Sequence, residues 1–334
     1  MIPQGAHWVR VPRFFGDAMM IHAALAPLRA TGAPIVVWGP DWVVDLFDGA
    51  EGYAAVVPET ARKYSTQEAA ALLRAHRPAS LIAFPRSARP IIAGFLARVP
   101  LRLGCGDLGV RLMSTHATPF EGQPGSFTER YAAVLRMAFP DLPAAPFVPF
   151  RPRASARAAV AAARADHDLG EYVALIPGGN HHLKRVAPEV LSALAIWARE
   201  RKLGVVLLGG GAHDQAMAAK IRARVPEVLD LTSPRSLAES AAWAGGAKLA
   251  MGPDSGLSFL AAAAGVPTLV AFGPTRPEWS TPPGPHVSVI RQESLPCLGC
   301  FLDACPFAPR VPCMEDLPVP ALIQRLEAML AEHP

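Results

Sequence analysis

Residues 247–274 read AKLAMGPDSGLSFLAAAAGVPTLVAFGP, and this stretch decides the fold class. Two apolar runs, AKLAM and PTLVAF, flank a small-residue segment that is long enough for about two helical turns. A strand, a helix and a second strand in this order are typical of a βαβ unit, whose parallel strands are buried on both faces. The stretch therefore predicts part of a doubly wound α/β domain.

The same alternation of apolar runs and helical patterns extends along the chain. Apolar runs stand at residues 7–11, 35–39, 54–58, 80–84, 101–105, 172–179, 203–211 and 228–231. Between Pro140 and Pro152, five prolines interrupt helix and strand alike, which is typical of an interdomain linker. We therefore predict an α/β fold with two Rossmann-like, doubly wound domains that face a central cleft, at residues 1–150 and 151–318, and a C-terminal helix at residues 319–334.

The composition is that of a folded protein without a membrane span. Hydrophobic residues make up 51% of the 334 residues and charged residues 18%, and no apolar run reaches the roughly 18 residues that a transmembrane helix needs. The net charge is +4 with no Lys/Arg-rich tract, so a nucleic-acid partner is not supported. The N-terminus lacks the pattern of a secretory signal, and five cysteines are an odd number for a disulfide framework. We expect a cytoplasmic protein.

The loop before the helix predicted at residues 256–264 has the residues of a phosphate site. Asp254 or Ser255 is suited to cap the helix, and Gly256 lets a ligand approach the backbone closely. The N–H groups of Ser255, Gly256 and Leu257, at the positive end of the helix, would bind a diphosphate. An ordinary capped helix after a strand explains the same residues. The chain has no GxxxxGK[ST] loop, which disfavours a nucleotide triphosphatase.

A second loop, at residues 176–189, is polar and basic. It reads IPGGNHHLKRVAPE, with a strand ending near Pro177 and a helix beginning near Pro188. Lys184 and Arg185 are placed to neutralise a phosphate. The alternative is a solvated basic loop.

The first predicted helix, at about residues 17–29, begins with a carboxylate. The segment VRVPRFFGDAMM, residues 9–20, places Asp17 after the first strand, at the carboxyl edge of the N-terminal sheet. A carboxylate there would accept a proton from a hydroxyl nucleophile as a general base. The alternative is that Asp17 is a helix N-cap.

Four of the five cysteines are concentrated near the C-terminus. Cys297, Cys300, Cys305 and Cys313 have the spacing C-x2-C-x4-C-x7-C. Four thiolates are able to hold a structural Zn²⁺ or an iron–sulfur cluster, but this spacing matches none of the common zinc frameworks. Buried free thiols or disulfides are the alternatives, and Cys105 is expected in the core.

Taken together, these segments resemble glycosyltransferase family 9, the ADP-heptose:lipopolysaccharide heptosyltransferases, and most closely the heptosyltransferase II branch. VRVPRFFGDAMM is similar to the V-R-L-P-N-W-x-G-D-x-V-M opening of that branch, and PDSGLSFLAAAAGVP is similar to its N-D-[ST]-G-L-x-H-x-A-A-A signature. LPCLGCFLDACPFAPRVPCM is similar to its C-x-x-C-F-x-x-x-C-P element. The segments follow the family order over nearly the whole chain.

The resemblance implies a GT-B fold and an inverting transfer that needs no metal or other cofactor. It implies that the N-terminal domain binds the acceptor and that the C-terminal domain binds the nucleotide-sugar donor, ADP-heptose. By position, Asp17 matches the general base on the acceptor hydroxyl, and Lys184 matches the lysine that contacts the donor diphosphate. The donor-binding residues expected from this match are Gly178, Gly179, Asn180, Lys184, Asp254, Ser255, Gly256 and Leu257, and the acceptor-binding residues are Arg13 and Gly16.

The expected acceptor is a lipopolysaccharide inner-core or related saccharide or glycolipid, reached by peripheral contact at the inner face of the inner membrane. The chain departs from the family pattern where the His of D-[ST]-G-x-x-H is Phe259 and the Trp of K-[RH]-W-P is Val186. Two family asparagines are Arg13 and Pro253. These departures leave two other interpretations open: a GT-B transferase that uses a different nucleotide sugar, and a nucleotide-sugar-binding protein without catalysis.

Overall fold

The computed structural model of the chain describes residues 2–59, 65–84, 88–119, 125–143, 147–179 and 181–333. The chain divides into two compact units, Met1–Ala154 and Ser155–Pro334. Each unit has a six-stranded parallel sheet. Within the described ranges, the structure contains no helix that is both long and apolar enough to cross a membrane.

The strands of the first unit are β1 (His7–Arg10), β2 (Ile35–Pro40), β3 (Ala55–Glu59), β4 (Ser80–Ala83), β5 (Leu101–Cys105) and β6 (His116–Thr118). Its helices are α1 (Phe15–Ala24), α2 (Ala26–Ala30), α3 (Trp42–Phe47), α4 (Thr66–His76), α5 (Arg89–Leu96), α6 (Leu108–Met113) and α7 (Phe127–Ala138). The strands pair in parallel in the order β3-β2-β1-β4-β5-β6. From β1 the chain first adds strands on one side of the sheet, and from β4 it adds them on the other side, so a switch point lies between β1 and β4. Open α/β sheets bind ligands beyond the carboxyl ends of the strands at such a switch point.

The sheet of the first unit is buried because helices cover it. Trp8 of β1 and Trp38 of β2 are at most 1% exposed, and their rings pack edge to face at 6.3 Å. The helix predicted over residues 17–29 is divided into α1 and α2 at Leu25. The division occurs because Pro27, at the start of α2, has no N–H group to continue the helical hydrogen bonds.

The strands of the second unit are β7 (Tyr172–Leu175), β8 (Gly204–Leu208), β9 (Leu229–Leu231), β10 (Leu249–Pro253), β11 (Thr268–Ala271) and β12 (Val287–Ile290). Its helices are α8 (Ala154–Asp166), α9 (Pro188–Glu200), α10 (Ala212–Arg222), α11 (Leu237–Gly245), α12 (Gly256–Ala263), α13 (Pro277–Ser280), α14 (Pro312–Glu315) and α15 (Val319–Glu332). The parallel strand order is β12-β11-β10-β7-β8-β9, which is the order of the first sheet read from the other edge. The switch point of this sheet lies between β7 and β10.

The boundary between the two units lies a few residues after the one predicted from the proline-rich segment. The carbonyl of Arg151 accepts the N–H of Glu51 at 3.0 Å, and Arg153 Nη1 donates to the carbonyl of Asp45 at 2.7 Å. These contacts hold Arg151 and Arg153 on the first unit, so the division follows Ala154 rather than residue 150.

The C-terminal helix α15 is part of the core of the second unit. Leu322, Leu326 and Met329 recur at helical spacing, are at most 1% exposed and belong to the same buried cluster as Leu191 and Leu194 of α9. The helix therefore covers the sheet of the second unit.

Candidate active site

Lys184 is held at the carboxyl end of β7 by a short 3-10 turn, His182–Lys184. Leu183 in the turn is 3% exposed, and Val186 just after it is completely buried. The N–H of Val186 donates to the carbonyl of Pro177 at 3.0 Å and closes the loop over the strand end. The buried apolar neighbours thus fix the backbone that carries Lys184.

Lys184 is paired with Asp254, which follows β10. Lys184 Nζ lies 2.7 Å from Asp254 Oδ2 and 3.3 Å from the Asp254 carbonyl oxygen, and Asp254 is only 7% exposed. The backbone N–H of Asp254 donates to the carbonyl of Ala271 at 3.1 Å, so the neighbouring strand fixes the carboxylate. An ammonium has three N–H donors. Within the described part of the chain, Asp254 is the hydrogen-bond partner of this ammonium, which leaves one donor for a ligand.

Helix α12 begins beside this pair, and its first turn has no side-chain cap. Ser255 occupies the N-cap position, but within the described residues its hydroxyl caps no helical N–H and lies 3.3 Å from the Ser258 hydroxyl instead. The Ser258 hydroxyl donates to the carbonyl of Pro253 at 2.7 Å. The predicted alternative of an ordinary side-chain-capped helix does not describe this turn. The first N–H groups of α12, which include those of Gly256 and Leu257, are therefore available to an anion at the positive end of the helix.

The loop after β7 comes into close contact with the start of α12. A Cβ atom built on Gly179 would lie 3.1 Å from Ser255 Cβ, so a larger residue at position 179 would press on the Ser255 side chain. Lys184, Asp254, Ser255 and Gly179 thus converge at the β7–β10 switch point. Asn180, predicted to bind the donor, lies outside the described residues.

Gly178 lies against a second group of polar residues, which the sequence analysis did not bring together. A Cβ atom on Gly178 would lie 2.5 Å from Asp214 Oδ1, and Asp214 Oδ2 accepts the N–H of Gly210 at 3.0 Å. Arg185 Nε and His213 Nε2 are buried there without a hydrogen-bond partner among the described residues. Burial and then the charge of Arg185 lower the pKa of His213. The glycine run at residues 209–211, at the carboxyl end of β8, is the signal that could have pointed to this group.

Asp17 lies in the first turn of α1, after β1, and is half-buried. The N-cap position of α1 is Phe14, so the alternative interpretation of Asp17 as the N-cap is wrong. Gly16 is buried, whereas Arg13 is exposed with its guanidinium 5.7 Å from the centre of the Phe14 ring. Trp42 Nε1 donates to the carbonyl of Arg13 at 3.0 Å and so holds the loop that precedes Asp17.

A buried polar cluster fixes the other end of α1. His22 is 1% exposed, with Nδ1 2.6 Å from the Tyr53 hydroxyl and Nε2 3.1 Å from the Val148 carbonyl. Burial, followed by the nearby charge of Arg29, lowers the pKa of His22 to about 3. The ring is therefore neutral at physiological pH, and the helix that carries Asp17 is tied to the interior of the first unit.

The cysteine segment lies along the carboxyl edge of β11. The N–H groups of Gly299 and Phe301 donate to the carbonyls of Gly273 and Pro274, each at 2.9 Å. All five cysteines are free: Cys105 and Cys313 are buried, and Cys297, Cys300 and Cys305 are half-buried. Burial chiefly, and then the other cysteines of the segment, raise the pKa of Cys313 to about 11. Within the described ranges, no three His, Cys, Asp or Glu side chains are grouped so that they could hold a metal ion. The metal site at the four cysteines stays a prediction.

Residues 119–310 match the family model of glycosyltransferase family 9 (heptosyltransferase). The chain is also 33% identical over 147 residues to lipopolysaccharide heptosyltransferase 1 of Pseudomonas aeruginosa, a match that spans 43% of this chain and 41% of that protein. The alignment thus covers about two fifths of the length of this curated relative.

Three solved structures have a similar fold. The ADP-heptose lipopolysaccharide heptosyltransferase II of E. coli superimposes with a TM-score of 0.77 at 20% identity, over 98% of this chain and 99% of that one. A glycosyltransferase family 9 protein of Veillonella parvula gives a TM-score of 0.80 at 16% identity, over 99% and 98% of the two chains. The E. coli heptosyltransferase WaaC with ADP superimposes with a TM-score of 0.70 at 17% identity, over 97% of this chain and 99% of that one. These similarities confirm the predicted α/β class with two doubly wound domains of the GT-B fold.

Proposed function

Since this chain belongs to glycosyltransferase family 9, the heptosyltransferases, we propose that it transfers a heptose from ADP-heptose to a lipopolysaccharide inner-core or related saccharide. The observation that carries the proposal is the Lys184–Asp254 pair beside the uncapped N-terminus of α12. A fixed cation and free backbone N–H groups are the groups that a departing diphosphate needs. The related WaaC structure that contains ADP supports the choice of donor.

The proposed reaction is a single displacement. The acceptor hydroxyl oxygen attacks the anomeric carbon of the heptose while the bond from that carbon to the diphosphate oxygen breaks. Asp17 takes the proton of the hydroxyl, and ADP leaves with the electron pair of the broken bond. Attack from the side opposite the leaving group inverts the configuration of the anomeric carbon.

Lys184 and the N–H groups at the start of α12 stabilise the negative charge that develops on the leaving ADP. Asp254 orients the ammonium, and Gly179 lets the loop lie against Ser255. Since this positive charge is supplied by the chain itself, we propose that the transfer needs no metal ion or other cofactor. Arg13 and Gly16, next to the base, are assigned to the acceptor. We further propose that the reaction takes place in the cytoplasm, at the inner face of the inner membrane.

The residues that depart from the family pattern favour catalysis over binding alone. Phe259 is 4% exposed and Val186 is fully buried, so both apolar replacements pack in the interior of the second unit. The general base, the lysine and the Asp-Ser-Gly sequence are all retained. A catalytically inactive binding protein would not need to keep Asp17.

The experiment is a turnover assay with purified protein, a delipidated inner-core acceptor and a panel of donors, namely ADP-heptose, ADP-glucose, UDP-glucose and GDP-mannose. We expect release of ADP that depends on the acceptor, with ADP-heptose preferred. Preference for another donor would identify a different GT-B transferase. Calorimetric binding of ADP without turnover on any donor would identify the non-catalytic binding protein.

A further inference from the structure

Two neighbouring helices of the first unit expose large apolar side chains. Phe95 and Leu96, at the end of α5, are 48% and 47% exposed, and Leu108 and Leu112 of α6 are 66% and 70% exposed. We call these four residues the α5–α6 apolar surface. Leu108 and Leu112 are one helical turn apart, and Val110 between them is buried, so the two leucines share the outer face of α6.

Arg102 contacts both helices near their C-terminal ends. Its guanidinium lies 5.6 Å from the centre of the Phe95 ring, and its Nε donates to the carbonyl of Met113, next to Leu112, at 2.8 Å. Its Nη1 donates to the carbonyl of Val99, just after α5, at 2.5 Å. One side chain thus connects the ends of both helices.

The positive charge of the first unit is concentrated in the same segment. Residues 88–119 carry four arginines and one aspartate, whereas residues 1–150 as a whole carry 14 basic and 11 acidic side chains. The rest of these 150 residues is therefore electrically balanced. Arg98, just after α5, and Arg111, between the leucines of α6, are both exposed.

We propose that the α5–α6 apolar surface, with Arg98 and Arg111, is the site at which this protein contacts an anionic lipid bilayer. Exposed leucine and phenylalanine side chains enter the boundary between headgroups and acyl chains, and adjacent arginines are attracted to acidic headgroups. The excess of arginine in this segment selects an anionic lipid surface as the partner, because acidic headgroups attract exposed arginines that lie beside apolar side chains.

The surface extends along two helices that run from one edge of the first sheet to the other. Leu108 follows β5 and Asp17 follows β1, and in a parallel sheet both lie at the carboxyl edge, whereas Phe95 and Leu96 precede β5 and lie towards the amino edge. A glycolipid held in the bilayer would therefore approach the proposed base from the Leu108 end of this surface. This part of the inference rests on the proposed function, but binding to lipid is measured without donor or acceptor.

The test is co-sedimentation of the full chain with vesicles of phosphatidylglycerol and phosphatidylcholine in equal parts, and with vesicles of phosphatidylcholine alone. We expect binding to the anionic vesicles that weakens at high salt. The variant Leu108→Asp/Leu112→Asp should lose at least about tenfold in partitioning, and Arg98→Gln/Arg111→Gln should lose about fivefold per arginine. The control Ile196→Asp, at a position 47% exposed on α9 of the second unit, should bind like the unchanged chain.

All of these positions are exposed, and ADP affinity measured by calorimetry should be the same in every variant. Wild-type protein that does not bind anionic vesicles, or a Leu108→Asp/Leu112→Asp variant that binds them normally, would overturn the proposal. So would light scattering that shows an oligomer which this double variant dissociates, because the surface would then join two copies. Absence of turnover with ADP-heptose would contradict the proposed function and leave the vesicle result standing.

Discussion

The two sheets have the same strand order, but the predicted residues at their switch points are assembled differently. In the second unit, Lys184 follows β7 and Asp254 follows β10, and a 2.7 Å ion pair joins them. In the first unit, Arg13, Gly16 and Asp17 all belong to one segment after β1, and residues 85–87, just after β4, lie outside the described residues. The proposed donor site is therefore built by long-range pairing, and the proposed acceptor side depends mainly on one carboxylate. Four measurements test this difference.

Substitution of Asp17 should have the largest effect. Asp17→Asn keeps the size of the side chain but removes the proton acceptor, so we expect kcat to fall by about 10²- to 10⁴-fold with unchanged ADP affinity. The rate of acceptor-dependent ADP release measures kcat, and calorimetry measures ADP binding. Asp41→Asn, an exposed carboxylate just before α3, is the control and should be active. Normal turnover by Asp17→Asn would refute the assignment of the base.

Removal of the Lys184 side chain should mainly weaken the binding of ADP. Lys184→Ala removes charge-assisted hydrogen bonds that are worth about 1.5–3 kcal/mol, so ADP affinity should fall about 10- to 100-fold. Part of this loss comes from the buried Asp254 carboxylate, which then faces the diphosphate without a partner. Lys184→Ala/Asp254→Asn should therefore bind ADP better than Lys184→Ala does. Lys220→Ala, on the exposed side of α10, should bind ADP normally; equal losses in both lysine variants would argue against a specific diphosphate contact.

The buried His22 should make the first unit sensitive to acid. The folded unit keeps the ring neutral with a pKa of about 3, whereas the unfolded chain takes up a proton near the ordinary value of 6.5. The contribution of His22 to stability is therefore complete above about pH 6.5 and is lost as the pH falls towards 3, at about 1.4 kcal/mol per pH unit. Urea unfolding at several pH values measures how the free energy of unfolding changes with pH. This change should be smaller in His22→Gln than in the unchanged chain. The exposed His167 serves as the control. In His167→Gln, the free energy of unfolding should change with pH as much as it does in the unchanged chain.

A substitution that disturbs the contact between Gly179 and Ser255 should have the smallest effect on ADP affinity. The added methyl group of Gly179→Ala would force the loop away from α12 by a few tenths of an ångström. Such overpacking costs about 1 kcal/mol, or about a fivefold loss of ADP affinity. Gly170→Ala, where a Cβ atom would meet nothing within 4 Å, is the matched control. Unchanged ADP affinity in Gly179→Ala would mean that the donor does not depend on this close approach.

Sequence patterns predicted those elements whose ends are marked by glycine or proline, such as β10 and α12 around Pro253 and Gly256. They missed α8, whose alanine-rich sequence directly follows the proline-rich segment. They also missed β12, a strand of four residues that follows TPPGPH and is only partly buried. Short edge strands have weak patterns because they bury little apolar surface.

The sequence predicted which residues belong to the candidate site, but not which of them contact one another. Local sequence marked Asp254 as a residue at a helix start and Lys184 as a cation in a polar loop, and the family resemblance matched both to the donor site. The ion pair between them spans 70 positions and depends on β7 lying next to β10, which only the folding of the whole sheet decides. The grouping of Arg185 with His213 and Asp214 was missed for the same reason, although the sequence had already marked Arg185 as a candidate phosphate contact.

The ammonium of Lys184 is already neutralised before any donor arrives, and this has a consequence for competing solutes. A single inorganic phosphate ion would share this cation with Asp254 and would gain only the remaining N–H donor of Lys184 and the amides of α12. Under the proposed function, a nucleotide sugar would add contacts of its nucleoside and sugar parts and so compensate for that sharing. We therefore expect the pair to favour a nucleotide sugar over small anions.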